Sequence, residues 1–324
     1  MLPNYAIIAI TLNCNSRCVM CNIWKNKVTN EMQPGEYLRL PPSLREINVT
    51  GGEPFLREDI DEVIKYIKKA CMNPRIIISS NGYMPEKIES KMKKIISMYK
   101  NVGLRISLDG PKSIHNKIRG VNNAYQRAIE SIIRVKKLGL RDIGIAMTVS
   151  NLNVGNIYEV FKISRKLGVQ FTVSAASSSD IFFGRIDDQI KYFNFKEFEN
   201  QIKLISKERL SSLNIKEWAR AWYENLLKNY IKSAKRPFTC DAGDGFFYMD
   251  SQGNIHACHI IQSFIGNIGH YESFKEIWNN ENRKKILKIT RSCNRCWMVC
   301  TFKSQINKNK ILIGLSILKK RFTR

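Results

Sequence analysis

The chain has 324 residues, of which 44% are hydrophobic, so it is long enough to bury one large core and a smaller unit beside it. Its formal net charge is +25, from 53 Lys and Arg against 28 Asp and Glu, which is compatible with nucleic acid, an anionic membrane surface or an acidic substrate. No apolar window reaches the roughly 18 residues that span a bilayer, and the N-terminus lacks the features of a secretory signal, so we expect a cytoplasmic globular protein.

Apolar, β-rich runs alternate with amphipathic helical runs through the first half of the chain. We predict strands at 5–12, 46–50, 75–79, 102–108, 141–149 and 169–175. We predict helices at 60–71, 85–99, 124–138 and 154–167. The alternation is typical of βα units on a parallel sheet. Six units fall short of the eight that close a barrel, so the predicted fold class is α/β, with an open partial (β/α)6 TIM-like barrel.

The second half of the chain departs from this alternation. A Ser-rich segment at 174–187 is followed by helical patterns at 195–208 and 215–232. Beyond residue 235 we predict a hairpin with its turn at 251–254 and a helix at 274–286. The expected parts are a barrel core at 1–190, a helical linker at 191–235, a small α+β cysteine-rich domain at 236–305, and a basic amphipathic tail at 306–324.

Eight of the nine cysteines fall into two groups near the ends of the chain. In a cytoplasmic protein of this size, metal ligation explains such groups better than disulfides do. The ninth, Cys71, follows an amphipathic run and is interpreted as a core residue. Cys14, Cys18 and Cys21 form C-x3-C-x2-C with no fourth Cys or His nearby. Structural zinc takes four protein ligands, whereas three thiolates suit a 4Fe-4S cluster with one iron open to a small molecule.

Four short motifs follow predicted strands in order. They are TGGEP at 50–54, SSNG at 79–82, SLDG at 107–110 and IHNKIRG at 114–120. Each alone could be a turn or a surface charge. Their joint occurrence at the carboxyl ends of successive strands, where such folds bind ligands, favours a binding site.

With CNSRCVMC at 14–21, these motifs resemble the radical S-adenosylmethionine (SAM) superfamily over about residues 5–175; Met20 stands where an aromatic residue is common in that family. The resemblance implies that Cys14, Cys18 and Cys21 hold a 4Fe-4S cluster whose open iron binds SAM. Reduction then cleaves SAM to a 5'-deoxyadenosyl radical, which abstracts a hydrogen from the substrate. No catalytic acid or base stands out.

The resemblance also implies a SAM pocket at the ends of the strands. Its predicted residues are Gly51, Gly52, Glu53, Pro54, Asn81, Ser107, Asp109 and Arg119. Ser107 would contact the ribose or carboxylate of SAM. Arg119 would pair with the SAM carboxylate through a charge-assisted hydrogen bond.

The second cysteine group consists of Cys240 and Cys258, followed by Cys293, Cys296 and Cys300 in C-x2-C-x3-C spacing. On spacing alone, a four-cysteine zinc ribbon is a serious alternative. After a radical SAM barrel, the pattern resembles the SPASM/twitch extension, in which such cysteines bind auxiliary 4Fe-4S clusters. A full SPASM domain has seven cysteines and two clusters, so the resemblance implies one auxiliary cluster held by four of these five. The preferred ligands are the first four, with Cys300 as a substitute or an unligated neighbour.

The implied function is that of a radical SAM oxidoreductase in which the auxiliary cluster accepts an electron from the substrate radical. We expect a small-molecule or lipid- or sugar-linked substrate, and an electron donor such as a ferredoxin or flavodoxin. Maturation of a ribosomal peptide is the alternative within this class. The first predicted strand begins at about residue 5, which leaves no room for the N-terminal peptide-recognition domain that many such enzymes carry.

The tail at 306–324 suggests another partner. As a helix it would place Ile311, Leu315, Leu318 and Phe322 on one stripe, flanked by Lys308, Lys310, Lys319, Lys320, Arg321 and Arg324. Such a helix could lie on an anionic membrane, at the inner face, or dock on the barrel. RNA modification is an alternative motivated by the net charge, but nucleic acid is disfavoured because no RNA-binding module is present. A non-enzymatic zinc protein is the remaining alternative.

Overall fold

The computed structural model describes residues 1–26 and 28–300, together with Lys303, Gly314, Leu315, Ile317 and Leu318. Six parallel strands alternate with helices in its first half. The strands are β1 (Tyr5–Thr11), β2 (Glu46–Gly51), β3 (Arg75–Ser80), β4 (Val102–Ser107), β5 (Ile143–Val149) and β6 (Gln170–Ala175). The helices are α1 (Ile60–Ala70), α2 (Pro85–Met98), α3 (Lys112–Arg119), α4 (Ala124–Lys137) and α5 (Ile157–Leu167).

The strands pair side by side in the order β6-β5-β4-β3-β2-β1, which confirms the predicted partial barrel. All seven residues of β1 are buried, as expected for a strand covered on both faces. The helices pack on the sheet through one apolar stripe. In α1 this stripe is formed by Ile60, Val63, Ile64 and Ile67, at the spacing that places side chains on one helix face.

The C-terminal half adds strands to the same sheet. Its helices are α6 (Asp188–Lys191), α7 (Phe195–Ser211), α8 (Ile215–Ser233), α9 (Phe274–Asn279) and α10 (Glu281–Ser292), and its strands are β7 (Phe246–Met249), β8 (Asn254–His256) and β9 (Phe264–Asn267). Strands β7 and β8 form the predicted antiparallel hairpin. Strand β7 also pairs in parallel with β1, with Tyr5 opposite Phe246, so the sheet runs through nine strands. The division of the chain into four parts, with the bounds given above, stays a prediction.

One expectation about helices was wrong, and one helix was not expected. The single helix predicted at 274–286 is divided at Asn280, which has extended backbone and caps α10 by accepting a hydrogen bond from the amide of Arg283 at 2.8 Å. Asparagine favours such caps because its side chain satisfies a free amide of the first turn. Helix α3, which ends at Arg119, was not predicted at all.

Buried ion pairs tie α7 and α8 to the last barrel strand. The guanidinium of Arg209, which is 1% exposed, lies 2.6 Å from a carboxylate oxygen of Glu217 and 2.9 Å from one of Glu224. Its Nη2 also donates to the carbonyl of Phe171 in β6 at 3.0 Å. Because Arg209 and Glu224 are both buried, each depends on the other for compensation of its charge, whereas Glu217 also pairs with Arg165 and Arg220.

No helix in the described ranges is both long and apolar enough to cross a membrane. Most of the predicted tail helix lies outside the described residues, so its amphipathic stripe and its membrane contact stay predictions. Within it, Ile317 is buried against the main core, which favours docking at that position.

Arg209→Met should destabilise the protein by about 3–5 kcal/mol, because it leaves the buried Glu224 without its cation and removes one of the three arginines that pair with Glu217. The free energy of unfolding in urea measures this effect. Arg127→Met, on the exposed face of α4, removes the same charge and should cause little change. Equal losses in the two variants would show that burial of the ion pairs is not the cause.

Candidate active site

Two backbone stretches meet edge to edge where β1 and β2 end. The amide of Gly52 donates to the Thr11 carbonyl at 2.8 Å. The amide of Glu53 donates to the Asn13 carbonyl, also at 2.8 Å. A Cβ atom on Gly52 would lie 2.1 Å from the Asn13 oxygen. Gly51 has a φ of +151°, and a Cβ atom there would lie 2.1 Å from the Thr11 oxygen. This glycine seam, residues 51–52 against 11–13, therefore leaves no room for side chains. It fixes the start of residues 14–21, here called the thiol loop, which carry Cys14, Cys18 and Cys21.

The loop that carries the three N-terminal thiols is held against the end of α3. Two of its backbone amides donate to the carbonyls of Ile118 and Arg119, at 2.9 and 3.1 Å. Ser16 Oγ donates to the Arg119 carbonyl at 3.0 Å and lies 3.0 Å from Cys18 Sγ. These bonds order the loop, and all three thiols line one cavity.

Arg119 is a fixed cation beside this loop. Its Nε donates to Asp109 Oδ2 at 2.5 Å, and its Nη1 lies 3.6 Å from Cys18 Sγ. Asp109 is fully buried and also accepts from the Thr148 amide at 2.9 Å. Burial opposes the charge of Arg119, but the attraction of Asp109 and Cys18 outweighs it and raises the pKa of Arg119 well above its usual value. Its pairing with the SAM carboxylate stays a prediction.

Glu53 is completely buried and accepts three hydrogen bonds. The donors are the amides of Phe55 and Asn81, at 3.1 and 2.7 Å, and Ser80 Oγ, at 2.8 Å. Burial raises the pKa of Glu53 to about 7, although these bonds stabilise the carboxylate. Glu53 thus joins the turn after β2 to the end of β3 and supports the cavity from behind.

A cavity of about 260 Å³ opens at the carboxyl ends of the barrel strands, where the motifs predict a ligand site. Its wall includes Cys14, Cys18, Cys21, Gly51, Gly52, Asn81, Ser107 and Arg119. The other predicted residues of the SAM pocket, Glu53, Pro54 and Asp109, are buried behind this wall. The structure brings the predicted residues together, and their individual contacts with SAM stay predictions.

The opposite wall of this cavity was not predicted from the sequence. It is formed by the segment 174–186, here called the cavity loop, and by Met298; the lining residues of the loop are Ser174, Ala175, Ala176, Ser177, Phe182 and Phe183. The side-chain amide of Asn22 donates to the carbonyl of Arg185 at 2.8 Å, and the backbone amide of Asn22 donates to the carbonyl of Phe183 at 2.7 Å. These two bonds hold the cavity loop against the thiol loop. The available signal was the position of this Ser-rich segment directly after the last barrel strand.

The five C-terminal cysteines, here called the auxiliary thiols, line a second cavity next to β7, the auxiliary cysteine cavity. Cys240, Cys258, Cys293, Cys296 and Cys300 all belong to its wall. They come from the segments before β7 and after β8, and from the end of α10 and the residues that follow it. The structure gathers all five thiols, and the choice of four ligands stays a prediction.

A third cavity, of about 180 Å³, lies between the other two. It shares residues 175–177 and Met298 with the first cavity, and Cys296 with the auxiliary cysteine cavity. His259 Nε2 lies 3.1 Å from the sulfur of Met298. The cavity loop and the segment 296–298 therefore form a shared wall between the two groups of thiols.

The chemistry of both thiol groups fits iron-sulfur clusters. Burial raises the pKa of Cys14 to about 12 and that of Cys21 to about 11, and it also raises the pKa values of Cys258 and Cys296. These thiols keep their protons until a metal displaces them, so cluster assembly releases protons. Among the residues that the structure describes, no three His, Cys, Asp or Glu side chains form a group that could hold one metal ion; the thiols surround cavities instead.

Comparison with protein families identifies two domains in the chain. The radical SAM superfamily model matches residues 8–163, and the model of SPASM, an iron-sulfur cluster-binding domain, matches residues 240–297. The chain therefore carries a radical SAM domain and a C-terminal SPASM domain. It is an enzyme that uses a 4Fe-4S cluster and SAM, with further iron-sulfur binding in the SPASM domain, and the zinc alternative is therefore wrong.

Curated relatives cover most of the chain at modest identity. A probable GTP 3',8-cyclase of Methanococcus aeolicus is 29% identical over 241 residues, which are 71% of this chain and 74% of that protein. An AdoMet-dependent heme synthase of Methanosarcina barkeri is 23% identical over 332 residues, covering 93% of this chain and 89% of that protein. The relatives thus share radical SAM chemistry while their names differ in substrate.

Solved structures show the same fold. SuiB of Streptococcus suis bound to SAM matches with a TM-score of 0.66 and 15% identity; the match covers 86% of this chain and 66% of SuiB. The enzyme anSMEcpe bound to AdoMet and the Cp18Cys peptide matches with a TM-score of 0.67 and 17% identity, over 98% of this chain and 100% of that one. These similarities confirm the α/β fold with its parallel sheet and C-terminal SPASM domain.

Gly52→Ala should lower the iron bound through the three N-terminal thiols and destabilise the protein by roughly 1–3 kcal/mol or more, because the new methyl group meets a backbone oxygen that cannot rotate away. Iron and sulfide content after anaerobic reconstitution, with thermal unfolding, measures both effects. Gly35→Ala is the matched control, since a Cβ atom there has nothing within 4 Å. An intact cluster in Gly52→Ala would contradict the role of the seam.

Glu53 should make the free energy of unfolding of the apoprotein fall as the pH rises from about 4.5 to about 7, because the folded state binds the proton more tightly in this window. This contribution is fully present below the lower value, is lost above the upper one and amounts to at most about 3 kcal/mol. Urea unfolding at several pH values should show a flatter dependence for Glu53→Gln. The exposed Glu62→Gln should keep the wild-type slope, and an unchanged slope in Glu53→Gln would count against this assignment.

Proposed function

We propose that the enzyme oxidises, by two electrons, a substrate bound between the SAM site and the auxiliary thiols. SAM and its 4Fe-4S cluster supply a 5'-deoxyadenosyl radical that takes a hydrogen atom from a substrate carbon. The substrate radical must then lose one electron and one proton to give a stable oxidised product. One auxiliary 4Fe-4S cluster, held by four of the five C-terminal thiols, would supply the acceptor for that electron, and a ferredoxin or flavodoxin would deliver the electron that starts each turnover.

The lining residues that the three cavities share support the proposal. A substrate in the first cavity would touch the cavity loop and Met298. Met298 lies two residues after Cys296, which lines both the third cavity and the auxiliary cysteine cavity. Close approach matters because an electron must pass from the substrate to the auxiliary site before the radical reacts elsewhere. The shared wall provides that approach through protein rather than through bulk water.

Residues of the wall have separate tasks in this proposal. Phe182, Phe183 and Met298 present apolar groups that exclude water, which protects a radical from side reactions. Ser177 Oγ is buried and has no hydrogen-bond partner among the described residues, so a polar group of the substrate could satisfy it. Arg119 and the glycine seam would hold SAM on the barrel side of the same cavity.

A small-molecule substrate, free or linked to a lipid or sugar, is favoured. The two relatives described above are named for a GTP cyclisation and for heme synthesis. The two neighbouring cavities, of about 260 and 180 Å³, together reach the size range of small-molecule sites.

A peptide is the second candidate substrate. SuiB has been solved bound to the precursor peptide SuiA, and anSMEcpe to the Cp18Cys peptide, and both share the fold of this chain. Their identities, 14% and 17%, support the fold and leave the substrate to be tested.

Cysteine variants separate the two steps of the proposal. Anaerobically reconstituted protein with dithionite should convert SAM to 5'-deoxyadenosine, and Cys14→Ala/Cys18→Ala/Cys21→Ala should not. Cys71→Ala, which changes a buried cysteine outside both groups, is the control and should keep this activity. Cys293→Ala/Cys296→Ala should still cleave SAM but lose formation of the oxidised product.

Deuterium labelling identifies the substrate class. Extract from cells grown in deuterium oxide, separated into small-molecule, lipid and peptide fractions, is added to the active enzyme. The fraction that contains the substrate should deliver deuterium to 5'-deoxyadenosine, as mass spectrometry would show. Deuterium from the peptide fraction alone would replace the favoured substrate with the second candidate, and full product formation by the Cys293/Cys296 variant would contradict the electron-acceptor role.

A further inference from the structure

Arg236 is a cation in the wall of the auxiliary cysteine cavity, and it precedes the segment 240–297 that the SPASM model matches. Its Nη2 lies 3.6 Å from Cys296 Sγ and 3.9 Å from Cys293 Sγ. Cys240 lines the same cavity, and its charged form attracts the guanidinium. One positive charge therefore lies beside three of the four preferred ligands of the auxiliary cluster.

Several donors of this guanidinium have no acceptor in the described protein. Nε and Nη1 of Arg236 are buried and lack a hydrogen-bond partner there. Arginine keeps its charge in proteins, so it cannot reduce the cost of burial by losing a proton. Buried charged donors normally find acceptors. Inorganic sulfides and thiolates of a cluster in this cavity are acceptors that would satisfy them.

The position of Arg236 is fixed by the loop that carries two of these cysteines. Its backbone amide donates to Asn294 Oδ1 at 3.1 Å. The carbonyl of the same asparagine accepts a hydrogen bond from Tyr230 Oη at 2.8 Å. Because Asn294 lies between Cys293 and Cys296, the guanidinium keeps its place relative to their sulfur atoms.

We propose that Arg236 is a positioning residue that donates hydrogen bonds to sulfur atoms of the auxiliary cluster and raises its reduction potential. Reduction adds one negative charge to the cluster. A fixed positive charge at its edge, with N–H groups directed at its sulfurs, stabilises the reduced form more than the oxidised form. The biological meaning rests on the proposed function, because a raised potential suits a cluster that accepts an electron from a substrate radical.

A redox titration followed by electron paramagnetic resonance tests this assignment on the reconstituted full chain, without substrate or SAM. The Cys14→Ala/Cys18→Ala/Cys21→Ala background shows which signal belongs to the auxiliary cluster. In Arg236→Met, the equilibrium constant for one-electron reduction should fall at least about tenfold, a shift of about 59 mV to more negative potential. Arg236→Lys, which keeps the charge with fewer donors, should give an intermediate potential.

Lys235→Met is the matched control, because it removes one charge from the adjacent, exposed position and should leave the potential unchanged. An unchanged potential in Arg236→Met, or an equal shift in Lys235→Met, overturns the assignment. If Arg236→Met binds no auxiliary iron, Arg236→Lys decides: a potential below the wild-type value supports the assignment and a wild-type value overturns it. A shifted potential in an enzyme whose auxiliary variants still form product would refute the proposed function and leave the role of Arg236 intact.

Discussion

Where β1 and β2 end, no side chain separates their backbones. Gly51 and Gly52 press against Thr11 and Asn13, so the turn after β2 and the chain entering the thiol loop form one rigid edge. Three thiols and the backbone of the glycine seam consequently line one cavity. Arg119, at the end of α3, contacts the thiol loop in two ways. Its carbonyl accepts a hydrogen bond from Ser16 Oγ, and its Nη1 lies 3.6 Å from Cys18 Sγ.

The auxiliary thiols depend on the same strand from its other side. Strand β7 pairs in register with β1, and the segments around β7 and β8 carry Cys240 and Cys258. The cavity loop reaches across to this region, where the amide of Asp180 donates to the Ile260 carbonyl at 2.7 Å and Arg295 pairs with Asp180 at 2.5 Å. Both metal-binding regions are therefore positioned by one sheet and one connecting loop.

Much of this arrangement could be predicted from the sequence, because it follows from local patterns. Alternating apolar runs gave the six βα units, and cysteine spacing gave both thiol groups. Helix α3 was missed because it has only eight residues and few apolar ones. The support role of Glu53 and the cavity-lining role of Phe182 and Met298 arise from contacts between distant segments, which leave no periodic signal in the chain.

The pairing of β7 with β1 has a consequence for any attempt to isolate the barrel. Strand β1 is buried along its whole length and apolar up to Ile10, and β7 pairs with one of its sides over residues 5–8. A truncated protein ending near residue 235 would leave that side as an exposed edge strand. The unpaired N–H and C=O groups of such an edge can pair with strands of other chains and cause aggregation. The C-terminal half therefore covers an edge that the barrel strands alone would leave open.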